Sequence, residues 1–320
     1  MLDLVLGLDI GGTSSRALVG DLRGRVVGRG SAGGGNPNSH PPRQAVAEVT
    51  AAAAAAMNGL EAGSVRRVVL GMAGISKMTD PQVAELFDEG WRALDLRCPV
   101  RVVSDCEVAF AAGTAAADGT VLIAGTGAIA ARVERHRLVA TIGGHGWLLG
   151  DEGSAFWLGR EAVRALLRAL DRGEPVGELG RAVRAELLGT GPDDADALRK
   201  QLIAAVNGRA PIALAELAPL VTAASGTDAD ARDIVARAAA VLADTAAGAR
   251  RPGEERAPIV LAGGLTADGN PVGAALRAEL LRRAGSPAPE LHAAGPGAAG
   301  AAWLAALDLT GDEPARYPGI

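Results

Sequence analysis

Three short glycine turns hold the residues of this 320-residue chain whose types could do chemistry. The first is Asp9-Ile10-Gly11-Gly12-Thr13-Ser14, at the end of an apolar run. A dinucleotide fingerprint would lead from such glycines into a helix, but here the residues after Ser14 read as another strand. A lysine-bearing phosphate loop is also excluded, because no lysine lies near. What remains is a strand-turn-strand unit whose exposed amides can donate to phosphate oxygens. Asp9, at the strand end, suits a hydrated Mg²⁺, which takes one or two carboxylates and keeps water. On its own this motif reads equally well as a plain hairpin turn. The second turn, Gly125-Thr126-Gly127, repeats the layout after the apolar run VLIA. The third, Ala262-Gly263-Gly264-Leu265-Thr266, follows a strand and precedes a helix, where small residues let a flat base approach the backbone. Together the three turns could grip a phosphate chain and a nucleoside.

Composition narrows the partners. Acidic residues number 37 against 32 basic ones, for a formal charge of −5, and no basic block or aromatic-basic stripe is present. Nucleic acid is therefore not an expected partner. No apolar stretch reaches the length of a membrane span, so no membrane partner is expected either. Asp3 and Asp9 near the start, with no basic segment before them, argue against a secretory leader and for a cytoplasmic protein. Cys98 and Cys106 fit neither a zinc knuckle nor a disulfide scaffold, and read as small apolar groups. The only lysines are Lys77 and Lys200, so few amines are available for Schiff-base or phosphate-loop work.

The elements that must position these turns alternate between strand and helix. Apolar runs predict strands over 4–10, 15–19, 24–29, 65–72 and 100–104, with a flexible loop over 31–42. Helices are predicted over 44–57, 80–91 (Asp80 as N-cap, Pro81 at the first position) and 107–117. A second cycle opens at 120–124, where VLIAGTGAIAARVE echoes LGLDIGGTSSRALVGD. Residues 143–153 read as loop, a helix starts at 154, and 160–250 is helical in pattern. A strand over 257–261, a helix over 270–284, a short strand over 289–292 and a last helix over 297–307 follow. This alternation predicts an α/β protein of two lobes. The smaller N-terminal lobe is assigned to 1–107, with the C-terminal segment 297–320 as a candidate to pack back on it. The larger lobe is assigned to 108–296.

The three turns resemble the first phosphate, second phosphate and adenosine motifs of the actin-like ATPase fold of sugar kinases, chaperone ATPases and actin. GGHGWLLGDEGSAFWLG (143–159) is similar to the signature of the N-acetylglucosamine kinase group, which includes the BadF/BadG/BcrA/BcrD-type ATPases. The resemblance spans nearly the whole chain, and GDEGS is its most specific piece. It implies a ribonuclease H-like fold with duplicated βββαβα cores and a helical insertion in the C-terminal lobe. It implies ATP and Mg²⁺ as cofactors, with Gly11, Gly12, Thr13, Ser14, Gly125, Thr126, Gly127, Gly263 and Gly264 at the nucleotide and Asp9 at the metal. Asp105, ending the strand VVS, matches the family's general base, a carboxylate that takes the proton of a sugar hydroxyl; by position alone it could simply cap a helix. Asn36, Asp151 and His145 match sugar ligands, with Asn38 as a rival to Asn36 and Glu152 read as a helix-terminal charge.

His145 departs from the family pattern, which often carries Trp there to lie against an N-acetyl group. A polar imidazole in its place favours a free 2-amino group. The resemblance therefore implies an ATP-dependent kinase acting on the 6-hydroxyl of an amino sugar, with glucosamine preferred and N-acetylglucosamine the alternative. An activator ATPase of the BadF type, which holds an iron–sulfur cluster through cysteines, is the further alternative. A repressor-related glucokinase lacks support because its glutamate-bearing sugar motif and cysteine-rich zinc site are missing. A filament-forming protein is the last reading considered. The expected assembly is a monomer or homodimer, with closure of the lobes over the sugar excluding water.

Overall fold

The first glycine turn joins β1 (Leu4–Ile10) to β2 (Ser15–Asp21), and β3 (Val26–Ala32) completes an antiparallel meander. The computed structural model describes residues 2–285 and 288–318, so Gly319 and Ile320, the end of the 297–320 segment, lie outside the described residues. α1 (Pro42–Ala56) leads to β4 (Val65–Met72), α2 (Pro81–Ala93), β5 (Val100–Ser104) and α3 (Asp105–Gly113). The sheet order is β3-β2-β1-β4-β5, with β4 parallel to both β1 and β5.

The second cycle runs β6 (Gly119–Ala124), β7 (Ala128–Glu134), β8 (Arg137–Gly143) and α4 (Gly146–Leu149). Then come α5 (Ala155–Arg172), α6 (Glu178–Leu188), α7 (Ala195–Asn207), α8 (Ala218–Ala224) and α9 (Ala229–Gly248). β9 (Ile259–Ala262), α10 (Pro271–Arg283), β10 (Leu291–Ala293) and α11 (Gly297–Thr310) close the chain. Its sheet order is β10-β9-β6-β7-β8, the first order over again with β6, β7, β8, β9 and β10 standing for β1 to β5. The duplicated core expected from the resemblance is present, and the helical insertion lies among α5 to α9, between β8 and β9.

The chain divides into two compact units: Met1–Gly119 with Val133–Val139 and Ala294–Ile320, and Thr120–Arg132 with Ala140–Ala293. In the first unit the strand period of two sorts the core. Leu4, Leu6, Leu8 and Ile10 pack with α1 and α2, while Val5 packs with α11 on the other face. Small residues let these helices lie close. A Cβ on Gly28 or Gly30 would overlap Ala52 or Ala56 of α1, and one on Gly7 would overlap the α11 backbone at Ala302. In the second unit one apolar cluster joins β6, β7 and β9 to the insertion and α10.

Several elements differ from the sequence reading. β3 ends at Ala32 rather than 29. β8 was not separated as a strand, because its residues are largely exposed and give no apolar run. The 143–153 loop contains α4, and the helical region is broken, among other places, at Gly173, which is left-handed with φ +64°, and before α9, which Asp228 caps. Among the described residues, no helix is long and apolar enough to cross a membrane.

Candidate active site

In the first unit the glycine turn is closed by its own backbone, Gly11 N donating to Ser14 O at 2.9 Å. Asp9 sits one residue before the end of β1, paired across the sheet with Arg16 and Gly71. The first turn of α11 lies against it: a Cβ on Gly297 would overlap the Asp9 carboxylate. Burial raises the Asp9 carboxyl to about 6, the Asp105 carboxylate adds to the rise, and Arg16 opposes it.

Asp105 is the first residue of α3, directly beyond the carboxyl end of β5. Its helix is capped by Ser104, whose hydroxyl accepts from Cys106 N at 3.2 Å, while Ser104 N donates to Glu107 Oε2 at 3.0 Å. Asp105 Oδ1 accepts from Cys106 N at 2.9 Å and from the Ser104 hydroxyl at 3.0 Å. Burial holds Asp105 above the ordinary carboxylate range, against these hydrogen bonds. Two carboxylates from the ends of different strands are thus close enough for their charges to interact. Such a pair is disfavoured in its doubly charged form unless a cation or a proton relieves it. A carboxylate lifted toward neutrality is also better matched to proton abstraction near pH 7.

Asn36 is buried in the loop that follows β3. Its Nδ2 donates to Ala73 O at 2.8 Å and its Oδ1 accepts from Asn38 N at 2.8 Å, so the amide shapes the loop and anchors it to the end of β4. Asn38 Nδ2 donates to Gly74 O in the same way. His40, a residue that the sequence reading did not single out, reaches the turn itself: its Nε2 lies 2.6 Å from Gly12 O.

In the second unit the turn between β6 and β7 closes by Gly125 N donating to Gly127 O at 2.9 Å. Asp151 is held against it. The residue is buried and left-handed (φ +56°), and its Oδ1 accepts from Ala128 N at 3.1 Å. The start of α5 is stitched to the same turn, Ala155 N donating to Gly125 O at 2.8 Å and Phe156 N to Thr126 O at 3.3 Å. His145 is the exposed N-cap residue of α4. Trp147, Leu148 and Leu149 beside it are also exposed, with the Trp147 ring 5.8 Å from that of Phe156. Glu152 pairs with Arg160 of α5 at 3.4 Å. Gly263 takes φ +92°, and a Cβ there would overlap the Ala124 carbonyl, so the third turn packs on the end of β6 and needs glycine. Gly264 opens a short 3₁₀ turn, and Asn270, capping α10, donates to Gly264 O at 3.2 Å.

The first unit therefore brings together Asp9, Asp105, Asn36 and the Gly11–Ser14 turn. The second brings together Gly125, Thr126, Gly127 and Asp151, with Gly263 against the strand that precedes them. Gly297 and His40 were not legible as site residues, because each reaches the site from a segment distant in sequence.

Comparison with known proteins adds a family, two relatives and a solved structure. The BadF/BadG/BcrA/BcrD ATPase family matches residues 6–305. An N-acetylmuramic acid/N-acetylglucosamine kinase of Clostridium acetobutylicum is 29% identical over 173 residues, 53% of this chain and 56% of that protein. An N-acetyl-D-glucosamine kinase of Dictyostelium discoideum is 26% identical over 204 residues, 60% of this chain and 63% of that protein. Both matches cover less than two thirds of the relative's length. Among solved structures, a candidate N-acetylglucosamine kinase from Chromobacterium violaceum has a TM-score of 0.72 and 25% identity, covering 95% of this chain and 99% of that one.

Proposed function

The chain belongs to the BadF/BadG/BcrA/BcrD ATPase family, and from that premise we propose that it transfers the γ-phosphate of ATP to the 6-hydroxyl of an amino sugar. The observation that carries this reading is the Asp9–Asp105 pair beside the first glycine turn, where burial raises both carboxyl groups and the Asp105 charge adds to the rise at Asp9. In this reading Asp105 takes the proton of the acceptor hydroxyl as its oxygen bonds to the γ-phosphorus and the bond to the β–γ bridging oxygen breaks. The amides of 12–14 and 126–127 are assigned to phosphate oxygens, since those of Gly11 and Gly125 close their own turns, and the Gly263–Gly264 turn is assigned to the adenosine. Asn36, Asp151 and His145 are assigned to the sugar.

The residues present suit Mg²⁺. A carboxylate pair with unrelieved repulsion is a fitting place for a cation that binds one or two carboxylates and completes its shell with phosphate and water oxygens. Asp9 would hold it, and the ion would supply neutralisation of phosphate charge.

For the acceptor, the curated relatives and the Chromobacterium violaceum protein are named for N-acetylglucosamine. The exposed Trp147, Leu148 and Leu149 offer apolar surface that suits an acetyl methyl. His145 is the residue that favours glucosamine. We place N-acetylglucosamine first and glucosamine second. ADP release measured with each sugar, with N-acetylmuramic acid and with none tests the reading. Release that depends on an amino sugar supports it. Release that no amino sugar raises above background overturns it, and the same result with protein-bound iron would favour the activator ATPase instead.

A further inference from the structure

Resting on the kinase reading, we propose that His40 is a positioning residue that aims the Thr13 amide at the nucleotide phosphates and ties that amide to the loop carrying Asn36. The Gly11-Gly12 segment has little steric preference of its own, so the peptide plane between Gly12 and Thr13 can turn over at small cost. The protein fixes it from outside. His40 Nε2–H donates to the Gly12 carbonyl at 2.6 Å, since a carbonyl can only accept. In a planar trans peptide the C=O and the following N–H point in opposite directions. Holding the Gly12 carbonyl on His40 therefore turns the Thr13 N–H away from the protein, and Thr13 is exposed.

The packing leaves His40 little choice. Gly34 lies so close that a Cβ there would overlap both the Gly12 carbonyl and the His40 ring, so the loop is folded directly over the turn. His40 N and Ser39 N both donate to Asn36 O at 3.0 Å. The Asn36 side chain in turn is bonded to Ala73 O at the end of β4. One segment, 34–40, thus carries the support of the phosphate turn and the candidate sugar ligand together. A sugar that orders Asn36 also steadies the Thr13 amide, so sugar and nucleotide binding are positively coupled.

The test is equilibrium titration of a non-hydrolysable ATP analogue with Mg²⁺ into the wild type, His40→Ala and His40→Gln, with and without N-acetylglucosamine, beside steady-state kinetics. His40→Ala is expected to weaken analogue binding about tenfold, the worth of one well-formed hydrogen bond. The sugar KM should move less than about threefold, and the gain in analogue affinity given by sugar should vanish. His40→Gln, whose amide N–H can reach the same carbonyl, should recover analogue binding to within about threefold. Unchanged analogue affinity in His40→Ala, a loss shared equally by sugar and nucleotide, or a loss that Gln does not restore each overturns the inference. Absence of analogue binding by the wild type overturns the kinase reading and this inference with it. Binding by the wild type that His40→Ala leaves intact overturns this inference alone.

Discussion

Replacing Asp105 by Asn separates the chemical role of this residue from its structural one. The substitution removes a charge and the capacity to take a proton but keeps an acceptor oxygen in place. That oxygen can still receive the Cys106 amide and the Ser104 hydroxyl, now at 2.9 and 3.0 Å. The start of α3 does not depend on Asp105 in any case, because Ser104 and Glu107 form the capping box. The neutral amide also avoids the burial penalty that raises the Asp105 carboxyl, so folding stability is expected to hold or rise slightly rather than fall. The expected catalytic change is much larger. A positioned general base contributes about 10²–10⁴-fold, and a thousandfold loss corresponds to about 4 kcal/mol of barrier.

Coupled ADP release with N-acetylglucosamine measures turnover, and a thermal melt with analogue titration measures what is retained. The reasoning predicts kcat down about a thousandfold, with the melting temperature and analogue affinity close to those of the wild type. Turnover within tenfold of the wild type would refute the assignment of Asp105 as base. So would a loss of turnover accompanied by an equal loss of folding stability, since Asp105 would then matter for the helix start and not for the proton.

Gly297→Ala should lower kcat/KM for Mg·ATP about a hundredfold at nearly unchanged sugar affinity, because its Cβ would force the Asp9 carboxylate to move; steady-state kinetics at varied nucleotide checks it. Asp228 caps α9 by accepting from Ala231 N at 3.1 Å and also accepts from Leu179 N at 3.1 Å, so Asp228→Ala should cost about 2 kcal/mol in urea unfolding. Burial pushes the Asp228 carboxyl up, but hydrogen bonds from the Ala231, Leu179, Asp230 and Glu178 amides outweigh it and leave the pKa below the ordinary 3.8. A depressed native pKa gives stability that is complete above 3.8 and fades as pH falls through the native value, so the gap between wild type and variant should narrow as the pH is lowered below 3.8. Tyr317→Phe removes the hydroxyl that donates to Asp21 O at 2.7 Å and should cost about 1 kcal/mol by the same unfolding assay.

The strands with continuous apolar runs were legible: β1, β4, β6 and β9 are largely buried on both faces and announce themselves without their partners. β8 was not, because most of its residues face solvent and its pairing with β7 comes from the sheet, not from its own pattern. Asp105 was legible as a candidate only through the family resemblance, because by position alone a carboxylate after a strand could simply cap the helix that follows. Its neighbour Gly297 was not, since nothing local to that glycine records that α11 begins against Asp9. The acceptor contacts were legible only as residue types. The amide of Asn36 turns out to be engaged with Ala73 O and Asn38 N, which the composition of a loop cannot reveal.

The duplication of the two cores extends to their glycine turns but not to what supports them. Each turn closes by a glycine amide at 2.9 Å, Gly11 to Ser14 and Gly125 to Gly127. That closure is local, so the sequence repeats it and a reader can find it. The first turn is then braced by an imidazole on its carbonyl, delivered by a loop that returns from β3. The second is braced by the Asp151 carboxylate on an amide, together with the opening amides of α5 on its carbonyls. Asp151 adopts left-handed backbone to do this, a conformation that costs a non-glycine residue about 1 kcal/mol or more and persists only where its surroundings hold it. The first turn is thus braced by a side-chain donor on its carbonyl, and the second by backbone donors on its carbonyls with a carboxylate acceptor added, so the two halves of the repeat have diverged in how their turns are supported.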